Sequence, residues 1–200
     1  MIQRRDAIDP HAQAVLDFWF GAPDSPDYGQ MRKIWFRKDA AFDALLCERF
    51  GALIEAGKAG ALDAWTATPC GTLALVIVLD QFPRNCHRGS ALAFAGDEKA
   101  LALAQRLVAT GADRRLPTRC HRVFAYMPFE HSESMDAQRE SLRLFGELAH
   151  EPDCASFHDY AVRHAWVIER FGRFPHRNEA LSRVSTDAER AFLRERGSSF

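Results

Sequence analysis

Three segments of the sequence join an aromatic residue to a proline and surround both with side chains that bind anions or move protons. They are Asp80-Gln81-Phe82-Pro83-Arg84-Asn85, Tyr126-Met127-Pro128-Phe129-Glu130-His131-Ser132-Glu133 and Arg170-Phe171-Gly172-Arg173-Phe174-Pro175-His176-Arg177-Asn178. The first and third are near copies. Arginine offers a planar fork for a carboxylate or phosphate, and histidine beside glutamate can exchange protons near neutral pH. On that chemistry Glu130, His131 and His176 are candidate acid–base groups. Asp80, Gln81, Arg84, Asn85, Glu133, His164, Arg173, Arg177 and Asn178 are candidate ligand contacts. The same residues have a plainer use. Arginine and histidine at a helix C-terminus bond free carbonyls and favour the dipole, so the set could equally form a buried structural clamp.

Other chemistries find less support. A zinc helix of the H-E-x-x-H type is absent, and of the two E-x-x-H motifs a di-iron bundle needs, only Glu147-Leu148-Ala149-His150 occurs. Glu130 and Glu133 with His131, His164 or His176 have spacing suited to an ion, but capping of the next helix explains them better, so no metal is expected. There is no G-x-S-x-G elbow, P-loop or G-x-G-x-x-G, which leaves no nucleotide cofactor indicated. With 26 Lys and Arg against 27 Asp and Glu, the net charge is -1. No global field then steers the chain to nucleic acid or an anionic membrane, and Glu169 and Glu179 interrupt the arginines between 163 and 183.

The elements that must position these residues read as helices throughout. Asp9-Pro10 opens one that ends at Gly21, and helix resumes from Trp35, with Phe42, Leu45, Leu46, Phe50, Leu53 and Ile54 on one buried face. Thr68-Pro69 precedes the apolar run 73–79. That run could be a buried strand by pattern, but no other segment offers it a sheet partner, so a central helix is expected. Further helices are expected from Asp97 to Val108, from Pro117 until Pro128 stops it, over about 134–149, and over about 156–171 with Tyr160, Ala161, Ala165, Val167 and Ile168 buried. Thr186-Asp187-Ala188-Glu189 is a capping box for a last short helix. Each proline is expected to force its chain out of a helix. Two helices separate the first proline turn from the second, and two more separate the second from the third. In an array of antiparallel neighbours, even steps bring all three turns to one end, unless 90–95 forms a full helix.

The run 73–79 is too short for a bilayer that needs about 20 residues, and Arg4 and Arg5 are followed by Asp6 and Asp9 rather than by a signal-peptide stretch. A cytoplasmic chain with no membrane contact is expected. Cys47, Cys70, Cys86, Cys120 and Cys154 are odd in number and include no C-x-x-C pair, so they are expected as reduced, buried thiols.

Together with Asp17-Phe18-Trp19-Phe20-Gly21, the three proline segments resemble the signatures of the bacterial family known as domain of unknown function 924, over nearly the whole chain. The resemblance implies an all-helical, tetratricopeptide-like fold and brings no established activity. The expectation is one all-α domain of roughly eight to ten helices stacked as antiparallel hairpins. Its polar turns would form a pocket for a small anionic molecule, with acid–base catalysis as the extension of that reading. The alternative is a helical scaffold that binds a peptide or protein, with the polar cluster purely structural.

Overall fold

The computed structural model of the chain describes residues 7–198, so Arg4, Arg5 and Asp6 lie outside the described residues. Eight helices follow one another, five of their seven connections containing a short 3-10 turn, and no strand occurs among the described residues. Helix α1 (Pro10–Phe20) starts where Asp9 accepts from the His11 and Ala12 amides. Helix α2 (Ala40–Lys58) begins later than expected. Trp35 lies in a 3-10 turn, Lys33–Phe36, and Asp39 caps α2 through the Phe42 amide. Leu45, expected inside, is 45% exposed.

Helix α3 is the centre of the molecule. Thr68 caps it by accepting from the Gly71 amide, and the helix runs through Pro69–Val76, a π turn at Ile77–Gln81 and a final segment Phe82–Cys86. Every residue of the run 73–79 is fully buried, as a helix apolar on all sides requires. The expected exit at Pro83 does not occur. A proline in a helix clashes with the carbonyl four residues back, here Leu79. The π turn inserts one residue into the winding, with the Phe82 amide donating to Ile77 O, and the helix passes the proline without breaking.

Helices α4 (Asp97–Ala109), α5 (Arg119–Glu130), α6 (Met135–Leu148) and α7 (Ala155–Phe171) each pack on the next, and α3 packs against α1, α2, α4 and α5. Pro128 does not stop α5 either. The helix continues to Glu130, and the His131 amide still donates to Met127 O. On α7, Tyr160 is 49% exposed rather than buried, because it lies at the edge of a face carried by Phe157, Ala161, His164 and Ile168. Gly172 ends α7 in the left-handed conformation, φ 69°, with its amide on Ile168 O. The last helix, α8 (Asp187–Phe192), has the expected capping box.

Residues 90–95 form only a 3-10 turn, Ala91–Phe94. One contiguous apolar core runs from Trp19 and Phe20 through Phe82, Phe124 and Phe145, with a smaller cluster of Val167, Ile168, Phe174 and Phe192 under α8. The expectation of five free thiols is corrected. Cys47 of α2 and Cys86 at the end of α3 form a disulfide, with Cα atoms 5.5 Å apart, because those two helices pack together. Cys70, Cys120 and Cys154 are free. No described helix is long and apolar enough to cross a membrane.

Candidate functional site

Asp80 has no exposed surface, although it lies in the π turn of α3. Its Oδ1 accepts from His131 Nδ1 at 2.7 Å and lies 3.3 Å from Arg84 Nη1, while Oδ2 accepts from Gln81 Nε2. Burial alone would raise its pKa. The Arg84 charge and the His131 contact overcome that, and the carboxyl is held well below the usual range. Asp80 is therefore a buried anion, and an anion only accepts, so the shared proton sits on His131 Nδ1. His131 itself is held neutral by burial and by Arg84, against the pull of Asp80. In that tautomer its Nε2 is an acceptor.

The π turn also places Arg84. Proline carries no N–H, so Pro83 leaves Leu79 O without its ordinary helical donor. The start of α4 approaches that carbonyl closely: a Cβ on Gly96 would stand 2.3 Å from Leu79 O. Arg84 Nη1 donates to the neighbouring Asp80 O, and its fork grips Asp97, the first residue of α4, with Nη1–Oδ1 and Nη2–Oδ2 both at 2.9 Å. Arg177 reaches the same carboxylate from the third proline turn, with Nη1–Oδ2 at 3.2 Å, and donates to His131 O at 2.9 Å. Phe94 lies under both guanidinium groups, 5.7 Å from Arg84 and 4.7 Å from Arg177.

Behind this layer, Glu130 is pushed up to about 8 by burial and by the nearby Asp80, and is protonated at neutral pH. Its Oε1 is 3.2 Å from His164 Nδ1, while its Oε2 has no partner among the described residues. Burial drives His164 down to about 3, and its Nδ1 donates to Tyr160 O at 2.9 Å. His176 is likewise driven to about 3, by burial and then by Arg177. Two carboxylates and two guanidinium groups therefore meet three neutral imidazoles and a neutral carboxyl.

The three proline turns thus converge and bring together Asp80, Gln81, Arg84, Glu130, His131, His176 and Arg177, with His164 contributed by α7. The remaining candidates lie around this cluster or away from it. Glu133 accepts from the Phe174 amide at 2.7 Å and from both ends of the Arg183 fork, and Arg183 also donates to Asn178 Oδ1. That group fixes the third turn against the second. Asn85 faces α2, bonding Asp43 at 2.6 Å, and Arg173 turns outward to Glu189 of α8. Asp97, Arg183 and Phe94 were missed from sequence. Gln138 was missed too; fully buried, it donates to Glu130 O and Ser132 O at 2.7 Å and fixes the end of α5. Nothing in the local pattern distinguishes these residues from helix-start, turn and helix-face residues.

The cluster meets solvent narrowly, through the partly buried His176 and through side chains of Arg84, Asp97 and His131 that are 20%, 19% and 16% exposed. Two clefts lie elsewhere. One of about 480 Å³ runs between α4 and α6 over Leu101, Val108, Phe129 and Ala137, and one of about 460 Å³ lies beside Arg170, Phe171 and Arg173. Of the candidate residues, Arg173 alone lines either cleft.

Comparison with known proteins agrees with this architecture. A solved structure described as a protein of unknown function, ATU0120, from Agrobacterium tumefaciens is 39% identical, with a TM-score of 0.80 over 92% of this chain and 97% of that one. No curated protein matches the chain. The family model described as a bacterial protein of unknown function matches residues 15–197, and the chain belongs to that family, DUF924.

Proposed function

We propose that the cluster is an acid–base site for a small anionic molecule. Arg84 and Arg177 hold the anion, and Nε2 of His131, oriented by Asp80, exchanges a proton with it. One observation carries this reading: an aspartate buried in a π turn, hydrogen-bonded to a histidine 51 residues away in sequence at the end of α5. Buried ion pairs seldom stabilise a fold better than apolar packing of the same volume would. A cluster of charged and strongly perturbed groups is thus better explained by chemistry than by stability. The π turn points the same way, since such turns recur at functional sites. The scaffold reading draws on the cleft between α4 and α6, whose apolar floor of Leu101, Val108 and Phe129 suits a peptide side chain but shares no residue with the cluster.

A thermal-shift panel of small organic and inorganic anions tests the proposal. Wild-type protein is expected to be stabilised by a subset of them, and His131→Gln and Arg177→Gln to lose that response. A panel with no hit, or hits that both variants keep, rejects the site.

A further inference from the structure

The bridge from Arg84 through Asp97 to Arg177 indicates which anion the site would accept. Asp97 presents a planar carboxylate whose two oxygens meet the Arg84 fork at 2.9 Å each, with Arg177 on Oδ2 at 3.2 Å. The rings of Phe94 and Phe174 lie 4.7 and 4.5 Å from the Arg177 guanidinium and crowd its faces, so acceptors reach it in its own plane. A planar carboxylate satisfies that condition. The Asp97 carboxylate shows that such a group fits between the two arginines.

Arg84 is paired with both Asp80 and Asp97, whereas Arg177 is incompletely matched. Arg177 is only 7% exposed, yet its Nε has no acceptor among the described residues. Burial and then Arg84 depress its pKa to about 10 even with Asp97 in contact. The first turn of α4 adds amides of the same sign, because its N-cap, Gly96, supplies no side-chain acceptor. Asp97 occupies this fork from the first helical position with its side chain 19% exposed, so rotation toward solvent would release both guanidinium groups together.

We propose that the ligand is a small carboxylate, which takes the Arg84 and Arg177 fork in place of Asp97 and so lies beside His131. Asp97 is the internal placeholder that satisfies the fork when the ligand is absent. This inference rests on the acid–base site proposed above.

Asp97→Ala removes the placeholder and leaves the fork. Its thermal midpoint is measured in formate, acetate, phosphate and chloride at one pH and ionic strength. Formate and acetate are expected to raise it saturably, by about 5–10 °C at 100-fold excess over Kd, with a smaller response to phosphate and chloride. Wild-type protein, with its fork occupied, should respond less. Equal responses to all four anions, or none, overturn the carboxylate assignment. Should Asp97→Ala fail to fold, Asp97→Asn keeps the volume and loses the charge, and the same comparison is read. The imidazole nitrogens of His131 in wild-type protein, followed by NMR during acetate and phosphate titrations, separate the two levels of the claim. Shifts with acetate support both. Shifts with phosphate alone keep the acid–base site and overturn the carboxylate, and no shift with either overturns both.

Discussion

A carboxylate without exposed surface stays charged only where its neighbours replace lost water, and Asp80 has His131, Arg84 and Gln81 for that purpose. Glu130, adjacent in space, has no such cation and stays protonated. The contrast predicts a pH profile. Glu130 keeps its proton in the folded chain up to about 8, against an ordinary 4.5, so its stabilising effect is complete below 4.5 and lost as pH rises through 8. The imidazoles act oppositely. His164 and His176 at about 3 and His121 at about 4 stay neutral when folded but take protons below 6.5 when unfolded, so acid destabilises the fold. Three histidines outweigh one glutamate below that value, and above it only the glutamate remains. Stability should therefore peak near about pH 6.5–7, and urea midpoints measured at successive pH values check this. A midpoint that keeps rising to pH 8 would show that Glu130 is ionised in the folded chain.

Helix α3 shows where local sequence signals succeed and where they stop. Its start was legible because a Thr-Pro cap is local chemistry, as were the starts at Asp9-Pro10 and Thr186 and the end at Gly172. Its passage through Pro83 was not. Proline in sequence reads as a stop, and only the packing around α3 makes a π turn preferable to a break; Pro128 in α5 misleads for the same reason. The convergence of the three turns was expected from helix parity on condition that 90–95 add no full helix, and that segment forms only a 3-10 turn. Asp97 was hidden because it also begins a helix, and that local role accounts for it fully. The close approach of α4 to the π turn gives a test: Gly96→Ala forces a Cβ to 2.3 Å from Leu79 O and should destabilise by about 1–3 kcal/mol in urea unfolding. An unchanged midpoint would mean that α4 is not held against the π turn.

Across the whole molecule, the fold was more legible than its cross-links. Apolar periodicity predicts an all-helical core and the structure has one, whereas the Cys47–Cys86 bridge joins residues 39 apart whose pairing depends on α2 meeting α3. Cys47→Ser should lower stability by about 2–4 kcal/mol if the bridge forms, and wild-type protein denatured without reductant should titrate three thiols. Five titratable thiols would remove the bridge. The bridge ties the end of α3, close to Arg84, to α2, and Asn85 and Arg88 on Asp43 reinforce it. The cluster is thus held by the scaffold on one side and by the third proline turn on the other.

Whether that cluster is kept for function or for stability is decided most directly by the unfolding free energy of His131→Leu. Asp80 keeps Arg84 and Gln81 when the imidazole is removed, so no buried charge is left alone. A functional dyad predicts a change within about 0.5 kcal/mol of wild type, or a gain, as expected where a site is maintained against stability. A loss of about 1–3 kcal/mol would mark His131 as a structural clamp and contradict the acid–base site.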